Sequence, residues 1–251
     1  MVAVVLVPGS FAPSTFYTAL SDRLTSCGIQ PVIVDLPSVG RRQGKAPANM
    51  TDDADEISRV VSALLDEGKE VILMTHSYGG IPGTQSLEKL SHPARLSMGK
   101  EGGLKKVVYL ASVIAPVGAS NWDLFGANLP PSVTVNDDYM TVDPIANAPL
   151  TFSDLPEDEA LSWANQMSEQ STASFKEKLH YPGYKDVEVH YIVCEDDKIV
   201  PPQYQYAMIE TAKRSSGREV TLHGIKSGHV PVISQPDSVM RILKYIIDSF
   251  D

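Results

Sequence analysis

The stretch Val71-Ile72-Leu73-Met74-Thr75-His76-Ser77-Tyr78-Gly79-Gly80 decides how the rest of the chain is read. Its apolar opening suits a short strand buried on both faces, and the residues beyond Gly80 suit a helix. Ser77 then stands at the apex of a strand, a sharp turn and a helix, the setting that a G-x-S-x-G nucleophile motif requires. A serine at such a turn has a strained backbone, so small residues must lie two positions away for strand and helix to approach. Gly79 meets that demand and Gly80 assists, whereas Thr75 puts a β-branched residue where glycine is usual. Read alone, Ser77 serves equally well as the N-cap of the following helix. The decision passes to the flanking sequence.

Similar apolar, β-branched runs fall at 2–7, 32–34, 107–111 and 189–193, with a weaker one at 220–222. Helical patterns lie between them. Ile57, Val60, Val61, Leu64 and Leu65 form one stripe at helical spacing, with Thr51 as a plausible N-cap, Asp52, Asp53, Asp55 and Glu56 at the positive end of the dipole, and Gly68 closing the far end. Pro236 opens a last helix whose inward face is Val239, Ile242, Leu243, Ile246 and Ile247. This alternation predicts an α/β fold, a mostly parallel sheet of about six strands flanked by helices. Between 116 and 181 it breaks into prolines, asparagines and scattered aromatics, with one helical piece near 157–169. Such a stretch is too long for an ordinary connection and reads as a helical cap, leaving 1–115 and 182–251 as the core.

The chain has 251 residues, and 21 Lys and Arg against 31 Asp and Glu give a formal charge of −10, which repels nucleic-acid backbones and anionic membranes. The expected partner is a small-molecule substrate, with a homodimer left open. Cys27 and Cys194, each in or beside an apolar run, imply no disulfide framework. Residues 2–7 read as a first strand rather than a secretory leader, so a cytoplasmic location is expected. No C-x-x-C, H-E-x-x-H, phosphate-cradling loop or dinucleotide fingerprint occurs, so neither metal nor cofactor is expected.

A serine hydroxyl needs a base within hydrogen-bond reach, usually a histidine steadied by a carboxylate. His76 adjoins Ser77 but should point away from it, His92 and His180 sit in polar connections, and His190 falls in a strand pattern. Of the two late histidines, His229 lies in the loop Ser227-Gly228-His229 between the last strand and the last helix, where the base arrives in this kind of sheet. For the carboxylate, Asp197 follows a strand end and precedes Pro201 by four residues, with Asp196 in reserve. As an isolated acidic triplet, Glu195 to Asp197 would be a solvated turn. The chain order Ser, Asp, His, each after a strand, argues for chemistry instead. The oxyanion formed in acyl transfer calls for backbone donors. The amides of Tyr78 and Ser10 are the candidates, with that of Phe11 in reserve, since Gly9 lets the loop after the first strand turn sharply. Phe11, Tyr78, Trp122 and Phe125 are the candidate substrate contacts, although most aromatics of 116–181 (Tyr139, Trp163, Phe175 and Tyr181 besides) suit a small core of their own.

With these residues in hand, the chain resembles the α/β-hydrolase superfamily, and within it the branch of plant methyl esterases and hydroxynitrile lyases together with related fungal hydrolases. The likeness rests on Leu36-Pro37-Ser38-Val39-Gly40, His76-Ser77-Tyr78-Gly79-Gly80, Asp154-Leu155-Pro156 through Trp163, Gln170-Ser171 and the segment from Cys194 to Pro201, and it spans nearly the whole chain. It implies a catalytic triad of Ser77, Asp197 and His229 with the Ser10 and Tyr78 amides as oxyanion hole. Pro8 departs from a histidine found in many relatives. The lyases typically carry lysine where Val230 stands and threonine where Gly9 stands, so the resemblance favours hydrolysis of a small, fairly apolar ester or lactone. Lyase, C–C cleavage or cyclisation chemistry and a ligand-binding receptor are the alternatives.

Overall fold

The computed structural model describes residues 2–126 and 129–249. Six parallel strands form the central sheet: β1 (Val2–Val7), β2 (Gln30–Ile33), β3 (Glu70–His76), β4 (Lys106–Leu110), and, after a second small sheet of β5 (Val133–Asn136), β6 (Tyr139–Val142) and β7 (Gln170–Ser171), β8 (Glu188–Cys194) and β9 (Val220–Ile225). The large sheet runs in the order β2-β1-β3-β4-β8-β9. Its inner strands β1, β3, β4 and β8 are largely apolar because each serves two cores, with Ala3, Val5 and Val7 of β1 on one face and Val4 and Leu6 on the other, whereas the edge strands β2 and β9 are only partly buried. Helices Met50–Asp66 and Pro202–Ser216 cover the first face, Thr18–Ser26 and Pro236–Asp248 the second. No helix among the described residues is long and apolar enough to cross a membrane.

Because β2 lies to one side of β1 and β3 to the other, the strand order reverses between β1 and β3, and the crevice beyond their carboxyl ends is the natural ligand position in such a sheet. Backbone strain gathers at this edge. Phe11, Ser77 and Ala111, just beyond β1, β3 and β4, have φ of 60°, 51° and 42°.

The turn at Ser77 closes only because of its glycines. A Cβ on Gly79 would stand 2.4 Å from the carbonyl oxygen of Pro8, and one on Gly80 2.3 Å from that of Val113. The unusual Thr75 is accommodated further along: its Cγ2 occupies the space over Gly83, where an added Cβ would meet it at 2.4 Å, and its hydroxyl lies 3.0 Å from that of Ser112. Gly83→Ala is therefore expected to cost about 1–3 kcal/mol by overpacking. Thr75→Ser, which deletes the methyl but keeps the hydroxyl, should recover most of the loss. Urea midpoints of the two single variants and the double variant measure this, and simple additivity would remove the coupling.

Several local expectations change. Helix Met50–Asp66 is capped by Asn49, reciprocally with Asp52, while Thr51 donates from its amide and hydroxyl to Glu177. The helical piece expected near 157–169 is Glu157–Ala164, shorter than its pattern suggested because the chain then turns into β7, and it is not alone: 116–181 also holds helices Asn121–Phe125, Pro144–Thr151 and Thr172–Lys176. The small sheet had no counterpart in the sequence reading; β5 and β6 pair antiparallel across Asp137, whose φ of 45° marks a tight turn. Cys27 follows helix Thr18–Ser26 and is exposed, whereas Cys194 is buried.

Candidate active site

Ser77 follows β3, Asp197 follows β8 and His229 follows β9, so three parallel strands deliver these side chains to one edge. Nε2 of His229 is 2.9 Å from Oγ of Ser77, and its Nδ1 is 2.7 Å from Oδ2 of Asp197. Asp197 is buried, and its other oxygen accepts from the amides of Ile199 (2.8 Å) and Val200 (2.9 Å). Oδ2 faces the imidazole, with the Gln205 amide a more distant donor at 3.4 Å, and Asp196 is exposed. The relay can carry a proton from hydroxyl to imidazole while the carboxylate steadies the cation that forms.

The loop after β1 is tethered on both sides of Ser10. The Gly9 amide donates to the Tyr17 hydroxyl (3.0 Å), and the Phe11 amide to Oε1 of Gln170 (3.1 Å). The Phe11 amide, held in reserve as an oxyanion donor, is therefore occupied. Ser10 lies between the tethers and lines the cavity with Ser77 and Tyr78. As the second residue of the 3-10 turn Ser77–Gly79, Tyr78 has no intrahelical acceptor for its amide.

His76 points away from Ser77, to the second core. Its Nδ1 accepts from the Tyr17 hydroxyl (2.7 Å), which makes Nε2 the protonated nitrogen, and Nε2 donates to the main-chain oxygen of His229 (2.8 Å). Burial, with the neighbouring His229 imidazole, lowers the His76 pKa to about 3, so the ring stays neutral. Tyr17 and His76 thus tie the β1 loop to the loop that carries His229, a link that the position of Pro8 gave no hint of.

A second buried network lies under Tyr78. The Tyr78 hydroxyl donates to Asp53 (2.7 Å), as do the Ser38 hydroxyl (2.6 Å) and amide (2.9 Å). Gln170 joins it, donating from Nε2 to the hydroxyls of Ser38 (2.8 Å) and Ser174 (2.7 Å). Asp53, which the sequence suggested as a charge at a helix start, is fully buried, and burial raises its pKa to about 6 against the hydrogen bonds from Ser38 and Tyr78. An acid that holds its proton more tightly when folded contributes stability in full below about pH 4 and loses it as the pH rises through about 6. Relative to Asp53→Asn, the wild type should lose on the order of 2–3 kcal/mol between pH 4 and pH 6. Urea titrations across that range measure it, and a difference between the two proteins that does not vary with pH would contradict it.

The cavity above Ser77 spans about 720 Å³ when the open space of its mouth is included. Phe11, Tyr78 and Phe125 line it, and Phe175 stacks on Tyr78 with ring centroids 5.4 Å apart. Trp122 is not among its lining residues. On helix Asn121–Phe125 the residues one turn apart, Asn121 and Phe125, share the cavity face, and Trp122 is rotated off it with the Lys176 ammonium 5.3 Å from its ring. Trp163 packs on Phe16, and the Tyr139 ring lies under the Arg41 guanidinium; neither lines the cavity. Asn121, Asn147 and Thr151 also line it and were missed. The Ser120-x-x-Asp123 capping box was the one signal that could have set Asn121 and Phe125 on a common face.

Residues 4–242 match the alpha/beta hydrolase family. The chain is 37% identical over 241 residues to the probable hydrolase R7 of a Phoma species, covering 96% of each. Polyneuridine aldehyde esterase, the Rauvolfia serpentina protein, superposes with a TM-score of 0.75 at 22% identity over 97% of this chain and 98% of the other. Tomato methylketone synthase I, in complex with 2-tridecanone, superposes at 0.79 with 17% identity over 99% and 98%.

Proposed function

Since the chain belongs to the alpha/beta hydrolase family, we propose that it is a serine-dependent hydrolase that cleaves a small, fairly apolar carboxylic ester or lactone through an acyl-enzyme. The carrying observation is the Ser77–His229–Asp197 relay, at 2.9 and 2.7 Å, opening into an apolar cavity. Ser77 Oγ attacks the carbonyl carbon as its proton passes to His229 Nε2, and Asp197 stabilises the imidazolium. The amides of Ser10 and Tyr78 receive the oxyanion. His229 returns the proton to the leaving alcohol, and water repeats the sequence to release the acid and restore the Ser77 hydroxyl. No cofactor enters these steps. Segment 116–181 acts as the lid that supplies the upper cavity wall and excludes bulk water. The relative named as an esterase supports an ester as the bond broken.

The test is a screen of p-nitrophenyl esters, lactones and thioesters, run beside labelling by a fluorophosphonate probe. Turnover together with a label on Ser77 is expected. Labelling without turnover of any of them would favour a binding role, and turnover that persists after Ser77 is removed would favour non-hydrolytic chemistry.

A further inference from the structure

No Lys, Arg, Asp or Glu side chain lines the cavity among the described residues, so a charged group on the substrate would be desolvated there with no counter-charge. Beyond Ser10, Ser77, Tyr78 and His229, its polar lining is Asn121, Asn147 and Thr151. Asn147 is committed within the protein: Nδ2 donates to Thr151 Oγ1 (2.9 Å), and Oδ1 accepts from the Ser132 hydroxyl (3.2 Å). Asn121 is different. Only 4% of it is exposed, and among the described residues its Oδ1 is buried without a hydrogen-bond partner. Other orphaned buried atoms, such as Arg42 Nε, Ser171 Oγ and Thr172 Oγ1, belong to residues outside the cavity lining.

Leaving a buried amide unpaired costs its full desolvation, and sites of substrate recognition are where such costs are retained. The backbone beneath it is fixed, because Ser120 and Asp123 form a reciprocal capping box around the start of the helix. Phe125, one turn on, sets an apolar wall beside it. The geometry points to Asn121 as a specificity-determining residue that pairs with a hydroxyl on the substrate, so that the substrate is a neutral, largely apolar ester bearing one hydrogen-bond donor away from the scissile carbonyl. The ester in that statement rests on the function proposed above; the donor rests on Asn121 alone. A site built to bond a hydroxyl rejects the analogue that lacks it, because its own polar group is then left unpaired.

The probes are p-nitrophenyl phenylacetate, its ortho, meta and para hydroxy derivatives, and the matching methoxy derivatives, which keep the bulk and lose the donor. The wild type should favour one hydroxy isomer over both the parent and the methoxy counterpart by about 10-fold or more in kcat/KM. Asn121→Leu should lower that hydroxy-to-parent ratio by about 10–100-fold. It should also raise the Tm of the free protein by about 2–4 °C, since the buried Oδ1 it removes has no partner; a residue kept for structure would lower it. Asn121→Ala carries the same ratio test should leucine crowd the cavity. An unchanged ratio in the variants, or no preferred hydroxy isomer in the wild type, overturns the inference. Calorimetric titration with phenylacetone and its hydroxy derivatives separates this from the proposed function. If no ester is turned over, hydrolysis fails, while tighter, Asn121-dependent binding of a hydroxy ketone upholds the donor site and equal binding removes it.

Discussion

Ser77→Ala should lower kcat/KM on any ester the protein cleaves by about 10⁴–10⁶-fold, the range that loss of an activated serine produces. The substitution deletes Oγ, the atom 2.9 Å from His229 Nε2, and leaves Cβ in place. The surrounding fold has no cause to change. Alanine at φ 51° bears the same backbone strain as serine, and the amides of Ser10 and Tyr78 are untouched. Folding stability should therefore stay within about 0.5 kcal/mol of the wild type, so the lost rate reports chemistry. A variant that keeps more than about 1% of the activity with its Tm intact would remove Ser77 from the mechanism.

Asp197→Asn should cost about 10⁴-fold in kcat, more than the loss of one charge suggests, because the bonds around residue 197 dictate how an amide must sit there. Two main-chain N–H groups, of Ile199 and Val200, point at Oδ1, so the carbonyl oxygen of asparagine must face them. Its NH₂ is then directed at Nδ1 of His229, 2.7 Å away in the wild type. That nitrogen must accept, the ring proton moves to Nε2, and Nε2 can no longer take the proton of Ser77. A pH–rate profile of this variant should recover activity at alkaline pH, where hydroxide in solvent substitutes for the lost base. A fall of less than 10-fold would mean that Asp197 does not set the tautomer.

The strands were legible in the sequence because burial on both faces makes a parallel strand continuously apolar, and Ser77 was legible because turn and glycines leave a local mark. Asp197 and His229 could be picked out since each follows such a strand. The buried networks have no local mark. Gln170 meets Phe11 and Ser38 across 159 and 132 residues, and although Gln170-Ser171 belongs to the family likeness, no local pattern in Ser168-Glu169-Gln170-Ser171 marks it as buried. Asp53 was misread for the same reason: among four acids at a helix start, only the tertiary fold selects the one that turns inward to Ser38 and Tyr78. Trp122 was the converse case, an aromatic of the 116–181 stretch taken as a substrate contact when the helix phase sets Asn121 and Phe125 on the cavity face.

Gln170 lies in the stretch 116–181 proposed above as the lid, yet it bonds to Phe11 and Ser38 outside that stretch, so under that proposal the roof of the site and its floor share a clasp. Exchanging the whole roof for that of a relative, as one would to graft a new preference, discards the clasp along with the old walls. Such a chimaera would present the right cavity above a slack Ser10 amide. Specificity and turnover in this chain are therefore not separate modules, and a graft that carries Gln170 across should outperform one that does not.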